Sequence, residues 1–249
     1  MFLKKLTRLF QIVLLSGMLL SHIEIASAQS NGGGQAQLVE GRAIIVRQGK
    51  ELEIDPYPMD FKDQDLIQTF DKGKVHLTLM GGDAIFLAPK TEILFEEKLE
   101  IKGSKRILNR TLKLNGRLLA IIQRSDETPI QIRTPNAIVG VKGTEFVVEF
   151  LSKATNVGTL KGTVNLSSLI TGDSIDLEAG TMSSVHASGE VIPITEFSGE
   201  LMRDFEFAVE SMSEKDSAGK SASLLSVQSQ SKEECYLFVS GDIGEEKSV

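Results

Sequence analysis

Residues 132–148 have the sequence IRTPNAIVGVKGTEFVV, in which short apolar runs are interrupted by turn-forming residues. Pro135 fixes its own φ angle and restricts Thr134 to extended geometry. Gly140 and Gly143 permit turns, or a close approach of strands that a side chain would block. The apolar residues after them recur with a period of two, which is typical of a half-buried strand. The segment therefore predicts strands joined by tight turns.

The same alternation extends outward on both sides of this segment, from about residue 38 to about residue 194. Its clearest apolar sets are Val75/Leu77/Leu79, Leu112/Leu114, Leu118/Ala120/Ile122, Ile130/Ile132, Phe146/Val148/Phe150 and Ile175/Leu177. Glycine-containing turns recur about every ten residues, and Asn115-Gly116 predicts a short hairpin or a tight turn. This spacing suits a sandwich, a barrel or a β-solenoid, and the lack of a fixed repeat excludes only an ideal solenoid.

The N-terminus has the pattern of an export signal. A basic start is followed by the apolar run Leu9 to Leu20, which is shorter than the ~20 residues of a membrane span, and then by Ala26-Ser27-Ala28. We interpret residues 1–28 as a signal peptide cleaved after Ala28, which predicts a periplasmic or secreted protein without a stable membrane anchor. Residues 29–37 (QSNGGGQAQ) predict a flexible linker, and residues 38–195 a single β domain.

The pattern changes at Glu196, where apolar residues fall at helical spacing. We predict an amphipathic helix over residues 196–214, which either caps the β domain or binds a partner. Residues 215–249 predict a mostly disordered acidic tail. Within that tail, residues 235–239 (CYLFV) form a short apolar run that could add to a sheet as an edge strand.

Charge is concentrated in the C-terminal part. The whole chain has 27 basic and 34 acidic residues, a net charge of -7. Loss of residues 1–28 removes three basic residues and one acidic residue, which gives -9. Residues 196–249 hold 12 acidic and 5 basic residues, which leaves -2 for the β domain. No basic surface that could follow a phosphate backbone is indicated, so nucleic acid is excluded as the expected partner.

No catalytic or metal-binding pattern is found. Once His22 leaves with the signal peptide, His76 and His186 remain as isolated histidines, which we expect at the surface. Cys235 is the only cysteine, so neither an internal disulfide nor a cysteine zinc cluster can form. The chain has no tryptophan for stacking on sugar rings. We expect no catalytic residue, no metal and no cofactor.

The sequence resembles the FecR domain family, periplasmic domains named after the ferric-citrate signalling regulator of Gram-negative bacteria. The resemblance lies in Thr134-Pro135-x-Ala137, then Gly140, a basic residue, and Gly143-Thr144-x-Phe146. Flanking matches include Leu112 to Leu119 (LKLNGRLL) and Gly162-Thr163-Val164. Together they span about residues 38–190.

The resemblance implies an all-β fold, an irregular β-solenoid or β-roll of short strands, followed here by the helix and the acidic tail. From their chemistry the motif residues have architectural roles: we expect Thr144 to bond to the turn backbone and Phe146 to fill the core. The resemblance also implies protein–protein contacts in the cell envelope. We therefore expect a stand-alone, non-catalytic binding or scaffold module whose partner is an envelope protein. Two alternatives stay open: a sensory component of trans-envelope signalling, and a polysaccharide-binding solenoid.

Overall fold

The computed structural model describes residues 33–123 and 128–208. In this part of the chain almost all regular structure is strand, as predicted. The strands are β1 Gly34–Glu40, β2 Ala43–Arg47, β3 Lys50–Glu53, β4 Met59–Phe61, β5 Leu66–Thr69, β6 Lys74–Leu79, β7 Ala84–Leu87, β8 Glu92–Lys102, β9 Lys105–Ile121, β10 Ile130–Arg133, β11 Ala137–Val141, β12 Glu145–Leu151, β13 Ala154–Lys161, β14 Thr163–Ser168, β15 Ser174–Glu178, β16 Thr181–Val185 and β17 Thr195–Glu196. A 3-10 helix, Gly199–Met202, follows.

The strands form two sheets that share β9. Sheet A has the order β4-β1-β6-β7-β9-β12-β13-β16-β17. Sheet B has the order β3-β2-β5-β8-β9-β10-β11-β14-β15. Each named pairing is antiparallel except β9 with β10, which is parallel. The chain thus alternates between the sheets while it advances in one direction across both.

The core lies between the two sheets. Alternate residues of each strand point inward, and those of both sheets meet in one cluster of buried side chains that includes Leu77, Phe95, Leu112, Phe146 and Val164. The predicted inward sets are confirmed at Val75/Leu77/Leu79, Leu112/Leu114, Leu118/Ala120/Ile122 and Ile130/Ile132, all of which are buried.

Gly116 allows β9 to serve both sheets. Residues 105–115 of β9 pair with β8 in sheet B, whereas residues 116–121 pair with β12 in sheet A. Gly116 has φ +119°, and a Cβ atom there would lie 2.7 Å from the Cα atom of Thr91. The prediction of a hairpin or tight turn at Asn115-Gly116 is therefore wrong. The positive φ redirects a continuous strand from one sheet to the other.

Two further predictions are corrected at the ends of the domain. Residues 34–37 do not form a flexible linker, because they belong to β1 and pair with β6. Gly34 allows close packing, because a Cβ atom there would lie 2.1 Å from the Thr78 carbonyl oxygen. At the other end, Thr195–Glu196 is a strand, and helical geometry begins at Gly199 and returns at residues 206–208. The rest of the predicted helix, the signal peptide and the tail lie outside the described residues.

Candidate functional site

The first half of the motif forms a buried turn between β10 and β11. Thr134 N–H donates to the carbonyl oxygen of Ala137 (3.0 Å), and Ala137 N–H donates to Thr134 Oγ1 (3.0 Å). The Thr134 hydroxyl also shares a 2.7 Å hydrogen bond with the hydroxyl of Thr155, at the start of β13. Pro135 fits this turn because it needs no N–H donor. The turn thus joins sheet B to sheet A by side-chain bonds.

Asn136 extends this turn to a third segment of the chain. Its Nδ2 group donates to the carbonyl oxygens of Lys153 (3.2 Å), Val185 (2.9 Å) and His186 (3.0 Å). Its Oδ1 atom accepts from the Thr155 hydroxyl. The amide is buried, and a buried amide is costly unless it is hydrogen-bonded. The motif as written from the sequence left position 136 open, so this residue was missed. The sequence feature that could have revealed it is an asparagine directly after Thr-Pro, because asparagine side chains often bond to nearby backbone in turns.

The second half of the motif lies at the other end of β11. Gly143 has φ +71°, a conformation that favours glycine. Gly140 differs from the expectation: it lies within β11 without a positive φ, and a Cβ atom there would make an ordinary contact of 3.9 Å with Asn165. The Thr144 hydroxyl makes no hydrogen bond with the described residues, so its expected bond to the turn is corrected. Instead the Thr144 carbonyl accepts from Ile122 N–H (2.9 Å). Phe146 is fully buried in the core.

The motif residues therefore do not converge on one pocket. Thr134, Pro135 and Ala137 lie at the start of β11, whereas Gly143, Thr144 and Phe146 lie beyond its other end. A shallow cavity of about 450 Å³ does lie beside the first turn, on the outer face of sheet B. It is lined by Thr134 and Pro135 with Leu66, Leu94, Lys113 and Leu169, among others. Its lining combines apolar side chains with the charged residues Glu92, Lys113 and Arg133.

The outer face of sheet A is covered by the chain itself. We call residues 197–208 the strap. Its apolar side chains Leu201, Met202, Phe205, Phe207 and Ala208 pack with Phe86, Leu119, Val147 and Leu160 of the sheet in a second buried cluster. His76 stacks on Phe86 at 4.6 Å between ring centroids and is half-buried, so it is not an isolated surface histidine.

Arg117 of β9 anchors the strap. Its guanidinium pairs with Glu149 of β12 and donates to Asp204 Oδ2 (3.0 Å) and to the Arg203 carbonyl oxygen (3.1 Å). Asn156 donates to the other oxygen of Glu149 (3.0 Å). Because Arg117 and Glu149 are largely removed from water, each depends on the other for compensation of its charge, whereas Asp204 is 43% exposed. Of the two roles predicted for the C-terminal apolar residues, residues 197–208 perform the capping role.

A buried ionic cluster closes the core where β8 and β9 leave it. The Arg110 side chain is only 2% exposed and lies 3.1 Å from Glu97 and 3.8 Å from Asp83. Asp83 accepts from Gln123 N–H (2.8 Å). Burial raises the pKa of Asp83 above its ordinary value, and the Gln123 hydrogen bond and Arg110 oppose this only in part. The cluster marks the boundary between the core and the hairpin beyond it.

Beyond that boundary β8 and β9 continue as a two-stranded hairpin, residues 98–109, which we call the ribbon. Its cross-strand pairs run from Lys98↔Asn109 to Lys102↔Lys105. On the outer sides, the pairing of β5 with β8 ends at Leu94, and that of β10 with β9 begins only at Arg110. Both edges of the ribbon are therefore free of pairing with the neighbouring named strands.

The ribbon exposes apolar side chains. Leu99 and Ile101 are 48% and 71% exposed. They continue the face on which Phe95 points into the core, because residues two apart share one face of a strand. The ribbon holds Lys98, Lys102, Lys105 and Arg106 against Glu100, a net charge of +3. Leu99 and Ile101 thus form an exposed aliphatic pair flanked by basic residues on an open hairpin.

Residues 65–165 match the family described as FecR protein. The match covers 101 of the 249 residues, from β5 into β14, and includes the ribbon and the whole motif. The resemblance to the FecR family noted in the sequence is confirmed over these residues.

Two crystal structures of a protein described as a "putative anti-sigma factor" from Parabacteroides distasonis ATCC 8503 are similar. They are 18% and 17% identical to this chain, with a TM-score of 0.45 in both cases. The aligned region covers 58% of this chain and 63% and 62% of those chains, so this chain spans less than two thirds of their length. A comparison with curated proteins gave no match.

Among residues 33–123 and 128–208, no group of three or more histidine, cysteine or acidic side chains could hold a metal ion. No helix in the same ranges is long and apolar enough to cross a membrane. The candidate functional site is the ribbon, because it exposes Leu99 and Ile101 on an unpaired hairpin. Sequence reasoning missed it because residues 96–102 (EEKLEIK) have the pattern of a solvated strand.

Proposed function

We propose that this chain is a non-catalytic protein-binding module of the FecR type that acts in the bacterial cell envelope. The observation that carries the proposal is the ribbon, an open hairpin that presents Leu99 and Ile101 to solvent. The apolar side chains on the outer face of sheet A are already covered by the strap. The ribbon thus offers a partner exposed apolar area to bury, at roughly 25 cal/mol per Å².

The ribbon suits a protein partner in two ways. Its free edges expose N–H and C=O groups in strand geometry, so a partner strand can extend the hairpin by backbone hydrogen bonds. Its four basic side chains favour a partner surface that carries acidic residues. The expected partner is therefore an acidic protein segment with apolar residues at alternate positions.

An envelope location agrees with the export pattern of residues 1–28. The periplasmic side is the natural site of action, because a cleaved signal peptide leaves the β domain outside the cytoplasm. The architecture also suits a scaffold: the motif residues stabilise turns, and the second buried cluster of the described residues holds the strap.

A second candidate is a sensory component that supplies the envelope half of a signalling system in trans. The FecR match favours this role, because it identifies a regulatory rather than an enzymatic family. A neighbouring gene for a sigma factor, a kinase or an outer-membrane receptor would support it. Polysaccharide binding has less support. In the cavity beside β5 the only aromatic lining residue is Phe70, and its ring lies under the guanidinium of Arg42 at 4.4 Å.

The test is site-specific photo-crosslinking in intact cells, with benzoylphenylalanine in place of Ile101. The matched control places the same residue at Leu151, which is 59% exposed at the end of β12. We expect one stoichiometric envelope protein to be captured from position 101 and not from position 151, and capture to be lost when Leu99 is changed to Ser. Equal capture from both positions, or none in a periplasmic pool of intact protein, would overturn the proposal.

A further inference from the structure

The sequence contains a segment whose chemistry complements the ribbon. Residues 233–246 (EECYLFVSGDIGEE) hold five acidic residues and no basic residue, a net charge of -5. The acids flank a run of five apolar residues, 235–239. We propose that residues 233–246 of the same chain dock on the ribbon and compete there with the external partner. This inference rests on the proposed function of the ribbon.

Charge favours this occupant over the nearest alternative, a second copy of the ribbon. Two ribbons would bring +3 against +3, and like charges placed opposite each other in a sheet are destabilising. The segment brings -5 to the +3 of the ribbon, so the encounter is attractive. The sheet A face is not available to it, because the strap already covers that surface.

Shape favours the same occupant. The exposed part of β8 in the ribbon, residues 98–102, is five residues long, as is the apolar run 235–239. A strand added at this edge places alternate side chains on the face that carries Leu99 and Ile101. Tyr236 and Phe238, or Leu237 with its neighbours at positions 235 and 239, would then cover the two exposed aliphatic side chains.

The chain between the strap and the acidic segment is long enough for that segment to reach the ribbon. Residues 209–232 separate the strap from the acidic segment, and 24 residues span at most about 80 Å when extended. Nine strands spaced about 4.8 Å apart make each sheet roughly 40 Å wide. The segment can therefore reach the ribbon from any point at which the strap leaves sheet A.

The experiment uses the native thiol as a reporter. Cys235 is the only cysteine, so a nitroxide can be attached there in the full chain without other changes. Spectra of the 15N-labelled protein, recorded before and after reduction of the nitroxide, show which amides lie near it. We expect selective broadening at residues 98–109 and none at the β2–β3 hairpin. A second labelled protein, which carries Ser231→Cys and Cys235→Ser, places the nitroxide outside the apolar run 235–239. It shows whether the label at Cys235 itself disturbs docking.

A matched pair of variants tests the charge argument. Lys105 begins β9 opposite Lys102, as Lys50 begins β3 opposite Arg47, and both lysines are exposed at tight hairpins. Lys105→Glu should weaken docking roughly fivefold, as for loss of an exposed ion pair, and so reduce the broadening of the ribbon. Lys50→Glu should leave the broadening unchanged.

Three results would overturn the inference. These are uniform or absent broadening, equal effects of the two lysine variants, and broadening that appears when nitroxide-labelled 14N protein is mixed with unlabelled 15N protein. The last result would assign the ribbon to a second copy. None of them bears on capture of an envelope protein from position 101, so failure of the inference and failure of the proposed function can be told apart.

Discussion

Phe197 rests directly on Gly158, so closely that a Cβ atom on Gly158 would lie 2.2 Å from Cε2 of Phe197. The glycine is in the middle of β13, and Leu201 also approaches it, at 3.1 Å from the same Cβ position. Because Gly158 has no side chain, the Phe197 ring at the start of the strap packs directly against β13.

Gly158→Ala is therefore expected to loosen the strap. The methyl group displaces the Phe197 ring rather than the backbone, and overpacking of this kind costs about 1–3 kcal/mol. Chemical denaturation should show the loss, and a dye that binds exposed apolar surface should fluoresce more strongly. Gly140→Ala is the matched control, because its Cβ atom has room within a strand. It should be neutral or stabilise the protein by up to about 1 kcal/mol. Equal losses of stability in the two variants would show that the close contact between Phe197 and Gly158 is not important.

Arg117→Met tests the anchor of the strap. It leaves the carboxylate of Glu149 buried without its cation, and breaking such a pair costs about 3–5 kcal/mol when it is fully buried. We expect somewhat less, about 2–4 kcal/mol, because the Arg117 side chain is partly exposed. Asp204→Asn removes the more exposed partner and should cost no more than about 1 kcal/mol. The measurement is thermal denaturation of both variants. A greater loss of stability for Asp204→Asn than for Arg117→Met would contradict the role of Arg117 as the anchor.

Asn136→Ala should be among the most destabilising polar changes in the domain. It leaves the carbonyl oxygens of Lys153, Val185 and His186 without their shared donor, at about 2–3 kcal/mol in total. Asn165→Ala on the exposed face of β14 loses only solvent-exposed bonds, one donated to Asp176 and one accepted from Ser167, and should stay within about 0.5 kcal/mol of the wild type. Urea midpoints measured side by side decide the matter, and similar midpoints would show that the network is dispensable.

Asp83 predicts a particular dependence of stability on pH. Its pKa is raised in the folded state from an ordinary value of 3.8, so the folded protein holds this proton more tightly than the unfolded chain does. Its contribution to the free energy of unfolding therefore falls as pH rises above 3.8 through the raised pKa. Relative to Asp83→Asn, the wild type should lose stability as pH rises from 3.8 through the raised pKa of Asp83. Above that pKa the difference in unfolding free energy between the two proteins should be constant. A difference that is flat throughout would remove Asp83 from this role.

The sequence alone was sufficient to predict which residues of most strands point into the core. Alternation at Val75/Leu77/Leu79 and at Ile130/Ile132 predicted buried positions correctly, because a period of two needs only local information. Alternation failed at β12, where Val147 and Glu149 are buried as well as Phe146 and Val148. Those two face the strap, which begins about fifty residues later in the chain, and no local pattern indicates that contact.

The candidate site was harder to predict. Asn136 has partners at positions 153, 155, 185 and 186, so its role depends on three segments that only the fold brings together. The ribbon looked like a solvated strand because Glu96, Lys98 and Glu100 alternate with its apolar residues. Only the ends of the β5 and β10 pairings show that Leu99 and Ile101 project beyond the core. Local sequence gives the face of a strand but not its length relative to its neighbours.

The passage of β9 through both sheets has a consequence for the order of assembly. Among the described residues, eight strands precede β9 and eight follow it, and no named strand of the first group pairs with one of the second. A nascent chain emerging from its N-terminus can therefore complete the first half of both layers before the second half exists. β9 then serves as the template on which the remaining strands add in the order of their synthesis. The native topology thus lets folding keep pace with chain emergence, with few long-range searches.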